Sequence, residues 1–558
     1  MNPPVTAPSP SSPLSPALAW PSAALVPERH FGDRMLRCYA HRPAHLPQMF
    51  QQAHAQDPEA PALVDGARRW SWAALRDDSS QLSAGLRRLG ITPGDRVALL
   101  LGNCAEFVIT AHAVLRMGAV LVPLSVREAA PGVAFILNQC HATAVVTDIS
   151  LTALVPDRLE DGKALHRVCI GDGTPPGALA SAGWRHWNDL LAEGEFEDAS
   201  PAQDDPAVIL YTSGTTGQPK GAVLAHLNLV HSVLHYRHAL GLHARDRALL
   251  AVPASHVTGL VAIVLAMAGV GGTVVVLREF KAPNCLALLE SEKISYTLMV
   301  PAMYALCLLE KNLAQTDLGS WRLAGFGGAP MPPSTIDALR RHSTGIRLFN
   351  AYGATETTSP ATLTPAGCDQ LDAVGIALPC ADVRVMDDNG HELPAGQSGE
   401  VWIAGPMVVP RYWNHPQATQ DSFVGGYWKS GDIGMLDANG LLRLHDRKKD
   451  MINRGGYKVF SVEVENCLLS HPAVREAATV GVPCPVLGER VHAFVYAPGA
   501  ASTDDLRAEL EALCRKDLAD YKTPDFWTWL AEPLPRNPNG KVLKRALREQ
   551  AAALKQAS

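Results

Sequence analysis

No basic residue stands before Arg29, and prolines interrupt the opening stretch MNPPVTAPSPSSPLSPALAWPSAALVPE throughout. A secretory signal needs a basic start and an unbroken apolar core, so residues 1–28 are excluded as one and are expected to form a disordered leader. None of the eleven cysteines falls into a C-x-x-C pair or a Cys/His metal spacing. That points to buried free thiols in a reducing cytoplasm. A net charge of -6, with 19% charged residues, offers no basic surface for nucleic acid or an anionic membrane. Residues 257–277, VTGLVAIVLAMAGVGGTVVVL, carry no charge and are about the length of a membrane span, roughly 20 residues. Gly269, Gly271 and Gly272 divide them, however, and a buried helix, a glycine turn and the short strand TVVVL are expected instead. Internal repeats are absent, and low complexity is confined to the leader.

What is present is enough chain for more than one domain: 558 residues exceed what a single core holds. Strand-like runs at 96–101, 207–212, 247–253 and 399–405 alternate with helix-like runs such as 226–240, which argues for an α/β domain of largely parallel sheets. Asn439-Gly440 marks a two-residue hairpin turn between alternating runs. The charged DRKKD at 446–450 then leads into a segment of about 110 residues, a usual domain length. The boundary is placed near Lys449, giving an N-terminal domain over 29–448 and a C-terminal one over 449–558. Ser461 is a candidate N-cap, with Glu463 and Glu465 in the first turn of its helix.

The most informative stretch is YTSGTTGQPKG at 211–221. Glycines free backbone N-H groups to converge on an anion, while hydroxyls and a lysine add donors, so a loop of this kind between a strand and a helix suits phosphate. It is no Walker A loop, because Pro219 stands where glycine must precede Lys220, and no G-x-G-x-x-G follows a strand. A surface turn explains the glycines but not Thr212, Ser213, Thr215, Thr216 and Lys220 together.

The loop has companions in a fixed order: VPASHVTG (252–259), GFGGAPMP (325–332), NAYGATETT (350–358), YWKSGDIG (427–434), DRKKDMINRGGYKV (446–459) and LPRNPNGKVLKR (534–545). Together they resemble the motifs of the adenylate-forming superfamily, which includes acyl-CoA synthetases, peptide-synthetase adenylation domains and beetle luciferase, and here its acyl- or aryl-CoA ligase branch. The resemblance extends from about residue 46 onward. It implies a large N-terminal domain of parallel-rich sheets flanked by helices, a small mobile α+β C-terminal domain, and ATP, Mg2+ and CoA as cofactors. The activity implied is activation of a fatty or aromatic acid as acyl-AMP with release of pyrophosphate, followed by transfer to CoA.

The same resemblance assigns roles. Thr212, Ser213, Thr215, Thr216 and Lys220, with Gly214 and Gly217 in the same loop, would hold the β- and γ-phosphates, and Thr355 the α-phosphate. Glu356 would hold Mg2+, a hard cation suited to oxygen ligands. Tyr352 would lie on the adenine, and Asp432, assisted by Arg447, would accept both ribose hydroxyls. Lys541 would bridge carboxylate and α-phosphate during adenylation, offsetting the charge that gathers there. Lys449 matches the hinge about which the small domain turns, and Gly455 and Gly456 the loop that lines the pantetheine channel. His256 matches a gate beside the acyl pocket, whose lining would include Gly328, Ala329, Asn350, Ala351, Gly353 and Gly375. Singly, each has an ordinary reading as a turn, surface or packed residue; their order is what carries the assignment.

Amino-acid-activating relatives carry an aspartate after the gate; here Val257 stands there, which favours a neutral acyl tail without fixing the acid. His231, His235 and His238 lie at helical spacing, with no carboxylate or cysteine to complete a metal set, and are expected on a solvated helix face. Two alternatives to the CoA ligase remain: loading of a separate carrier protein, and a catalytically silent homologue, against which the intact Lys220, Glu356, Asp432 and Lys541 speak. Monomer and homodimer are both compatible with the sequence.

Overall fold

The computed structural model describes residues 19–171, 183–191, 196–212, 218–329, 331–343, 345–500, 502–536 and 542–557. The chain forms two compact units. The first holds the residues up to Val383 with Trp402–Lys429 and Asp437–Leu442; the second holds Arg384–Val401, Ser430–Leu436 and the chain from Arg443 onward.

Two largely parallel sheets organise the first unit. One runs in the order Lys220–Ala225, Pro206–Thr212, Val120–Pro123, Arg96–Leu100, Ala144–Asp148, His166–Ile170, Trp184–His186, with only its first pair antiparallel. The other contains a parallel run of Arg347–Tyr352, Leu323–Phe326, Tyr296–Met299, Arg247–Leu250, Thr273–Val276 and Pro61–Asp65. The inner strands, such as Val120–Pro123, Thr273–Val276 and Tyr296–Met299, are buried along their whole length, as expected of parallel strands covered on both faces. The motifs at 252–259, 325–332 and 350–358 each follow the carboxyl end of one of them, the side on which open α/β sheets bind ligands.

The uncharged stretch 257–277 resolves into a π-helix, Thr258–Leu265, a short α-helix, Ala266–Ala268, and the strand Thr273–Val276. A Cβ on Gly269 would lie 2.2 Å from Val233 Cγ1, so this glycine allows the segment to pack on the helix His226–Leu240. Among the described residues no helix is long and apolar enough to cross a membrane. All eleven cysteines are free thiols; ten are buried and Cys484 is half-buried.

Several expectations need correction. Leu25–His30, at the end of the expected leader, is a strand paired with Arg34–Tyr39. The Glu28–Arg42 ion pair and a hydrogen bond between His30 Nδ1 and the Asp204 carboxylate at 2.8 Å hold it. The loop after Thr212 joins two antiparallel strands rather than a strand and a helix, and the helix begins only at His226. That helix is buried nearly all round, so His231 and His235 are fully buried and pack on Tyr39, and of the three histidines His238 alone is exposed. The hairpin turn spans 437–440, because the Asp437 carboxylate takes the N-H groups of Asn439 and Leu441 and draws four residues into it. Ser461 is the first helical residue rather than the cap, and the Asp446 carboxylate accepts its N-H in place of a side-chain cap.

The second unit has its own sheet, in which Tyr457–Val459, Ile452–Arg454, Gly488–Tyr496 and Glu476–Cys484 are antiparallel and Phe526–Trp529 joins parallel. The helices Ser461–Leu469 and Thr503–Asp517 contribute to one core, and Leu547 and Ala551 of the helix Lys544–Ala557 to another.

Candidate active site

Glu356 lies in the one-turn helix Thr355–Thr357, directly after the strand Arg347–Tyr352. Thr357 Oγ1 accepts the Ala354 N-H at 2.8 Å, and Thr358 turns the chain with a φ of 52°. This brings Glu356 to 8% exposure with its carboxylate on Tyr412, whose hydroxyl donates to Oε1 at 2.8 Å. Val409 N-H donates to the Glu356 carbonyl at 2.9 Å, so backbone and side chain of this residue are both held from 409–412.

Tyr412 is placed by the strand Lys220–Ala225: Trp413 N-H donates to Gly221 O at 2.7 Å and Val223 N-H to Arg411 O at 3.1 Å. The Lys220 ammonium consequently lies 5.4 Å from the centre of the Tyr412 ring, a cation-π distance. A cation over the ring and a carboxylate on the hydroxyl thus share one phenol. Burial, and then the neighbouring Glu356 charge, push the Tyr412 hydroxyl well above its usual range, so it remains a donor. Thr212 pairs with Lys220 across the hairpin. Ser213, Gly214, Thr215, Thr216, Gly217 and Lys541 lie outside the described residues.

Near the carboxyl ends of the parallel strands, Thr355 is buried while Ala351, Tyr352 and Gly353 are half-buried. Gly328, at a φ of 77°, and Ala329 are exposed. Asn350 is buried, and its amide donates to Ala373 O at 3.4 Å, so it acts in the frame of the site. His256 is exposed; its Nδ1 accepts the Thr258 N-H at 3.3 Å. The chain before it is tied by buried Asn103, whose amide donates to Leu250 O, Val252 O and Leu277 O and accepts the Ala254 N-H at 2.8 Å.

In the second unit Asp432 is buried, and the Arg447 guanidinium reaches its Oδ1 at 2.7 Å. Ser430 Oγ accepts the Asp432 N-H at 2.9 Å and donates to Val401 O at 2.6 Å, which ties the backbone at Asp432 to the neighbouring strand. Lys449 is exposed. Gly455 and Gly456, at φ of 62° and 89°, form the two-residue turn of the hairpin that pairs Arg454 with Tyr457.

The AMP-binding enzyme family matches residues 50–413, and its C-terminal domain matches residues 463–541. The chain belongs to this family. It is 33% identical over 521 residues to the long-chain-fatty-acid--CoA ligase FadD13 of Mycobacterium tuberculosis, covering 90% of this chain and 98% of that one. It is equally 33% identical over 515 residues to ScoC, a fatty acid--[acyl-carrier-protein] ligase of Streptomyces coeruleorubidus, covering 89% and 95%. The structure of the anthranilate CoA ligase AuaEII in complex with anthranoyl-AMP superposes with a TM-score of 0.84 at 25% identity, over 92% of this chain and 99% of that one. The protein is accordingly an ATP-dependent, AMP-forming acid-CoA ligase.

Tyr412 and Asn103 were missed in the sequence. Each acts on a residue far away in the chain, and the only local signal at Tyr412 is a Tyr-Trp pair in a turn-rich stretch.

Proposed function

We propose that the acid is one with an uncharged acyl body, aliphatic or aryl, and that the two halves of the reaction use the residues as follows. Buried Val257 carries the first point: it and the whole π-helix after it are neutral, so an ammonium there would lack a counter-ion. Glu356, aimed by Tyr412, would hold Mg2+, which supplies charge neutralisation on phosphate oxygens. A buried carboxylate with a phenol donor behind it and a lysine nearby is a donor set that fits a hard cation and a phosphate.

The carboxylate oxygen forms a bond to the α-phosphorus and pyrophosphate leaves. Lys220 and Thr212 hold the departing phosphates, Asp432 with Arg447 holds the ribose, and Lys541 offsets the charge on the phosphorus oxygens. In the second half the CoA thiol releases its proton to solvent, its sulfur forms a bond to the acyl carbon, and the bond from that carbon to the phosphate oxygen breaks as AMP departs. The segment from 449 to 558 rotates about Lys449 between the halves. A reducing cytoplasm suits the eleven free thiols.

A pyrophosphate-release assay over a panel of acids, with and without CoA, tests this reading. Release is expected with neutral alkyl or aryl acids and thioester only when CoA is present. Preference for an α-amino acid would overturn the substrate class, and release without CoA turnover would move the acceptor to a carrier protein.

A further inference from the structure

Lys449 stands between two sets of anchors. On its N-terminal side Lys448 N-H donates to Gly431 O at 2.8 Å and Arg447 bonds Asp432 at 2.7 Å, so residues 447 and 448 stay with the strand segment 430–432. On its C-terminal side Arg548, in the helix Lys544–Ala557, donates to Lys449 O at 2.8 Å and to Asp450 Oδ1 at 2.5 Å. Asp450 is 7% exposed, and the second bond joins two charges, a class roughly twice as strong as neutral hydrogen bonds.

The position of these acceptors in the backbone matters. The carbonyl oxygen of Lys449 lies beyond both rotatable backbone bonds of that residue. Turning φ or ψ of Lys449 therefore carries this oxygen, Asp450 and Arg548 together and leaves both bonds intact. Turning φ of Asp450 tears the carbonyl from Arg548, and turning ψ tears the carboxylate away as well. The contacts that rotation at Lys449 must release include the Asp450 and Met451 N-H groups on Arg447 O, at 2.9 and 3.0 Å, Asp446 on the Ser461 N-H, and the stacking of His445 on Phe460 at 5.0 Å between ring centres.

We propose that Arg548 is a positioning residue that makes the 449–450 peptide part of the rotating body and so confines the swivel to the two dihedrals of Lys449. This rests on the rotation proposed above, and its test separates the two. Thioester formation from supplied acyl-AMP and CoA, adenylation by pyrophosphate release, and melting temperature are measured on purified full-length variants.

Lys449→Pro fixes one of the two dihedrals and is expected to slow the thioester half more than adenylation. Arg548→Met keeps the aliphatic stem but frees Asp450 to turn. Added to Lys449→Pro, it should restore thioester formation by about tenfold, as expected when a rate-limiting hinge regains freedom. Arg548→Lys, which keeps a charged donor, should restore less. A merely structural role for Arg548 would lower both halves and the melting temperature further. If Arg548→Met does not fold, Arg548→Gln serves with the same expectation. A double variant no faster than Lys449→Pro alone overturns the latch and leaves the rotation standing. Normal thioester formation in Lys449→Pro by itself overturns the rotation at Lys449, and the latch with it.

Discussion

The Tyr412 hydroxyl donates to the Glu356 carboxylate at 2.8 Å across 56 residues of sequence, and the same ring carries the Lys220 ammonium on it at 5.4 Å. Tyr412 joins the lysine of the glycine loop to the acidic residue of another motif. It contacts both without belonging to either.

Tyr412→Phe should keep the ring for Lys220 and remove the donor to Glu356. A hydrogen bond to a charged group contributes about 1.5 to 3 kcal/mol, so adenylation should fall by about 10- to 100-fold. The Mg2+ concentration for half-maximal rate should rise. An unchanged Mg2+ curve would mean that Glu356 is aimed by something else.

Lys541→Ala should abolish pyrophosphate release while sparing thioester formation from supplied acyl-AMP. Adenylation needs a cation on the phosphorus oxygens, whereas thiol attack on the acyl carbon does not. Equal loss of both halves would remove the division of labour.

Lys544→Met should destabilise the second unit. Lys544 reaches Glu465 Oε1 and Ser461 Oγ, each at 2.6 Å, and both partners of the ion pair are about one-seventh exposed, 14% and 15%. Burial pushes the Glu465 carboxyl up and Lys544 counteracts it; removing one partner of such a pair costs about 3 kcal/mol. A lowered urea midpoint checks this, and Lys544→Met with Glu465→Leu should recover part of the loss.

Stability should fall steeply as the pH drops below 6.5. Burial holds His112, His226, His231 and His235 each down to about 3, against an ordinary 6.5. Between those values the unfolded chain binds protons that the folded one does not, so stability is full above pH 6.5 and lost as pH falls. The slope is about 1.4 kcal/mol per pH unit for each histidine. Urea midpoints between pH 7 and pH 5 measure it, and a flat profile would mean that these rings do not stay neutral.

Legibility in the sequence followed distance along the chain. The strand that leads into 252–259 was readable as the run 247–253 because apolar runs are local, whereas the strands before 325–332 and 350–358 were not singled out. The histidines at 231 and 235 were misread because spacing on a helix says nothing about what covers it, and Tyr39 arrives from nearly 200 residues away, at a |i−j| of 192 from His231. Ser461 was placed one position early because Asp446, not a serine hydroxyl, takes the helix N-H.

By itself the sequence determined the chemistry that this protein carries, since ordered motifs name reactive groups and reactive groups are covalent properties of the chain. Only the tertiary structure decided how those groups are aimed. Tyr412 behind Glu356, Asn103 beneath 250–254 and Arg548 on the 449–450 peptide act through hydrogen bonds between segments with no common local pattern. Such bonds exist only once the folded chain has brought those segments together.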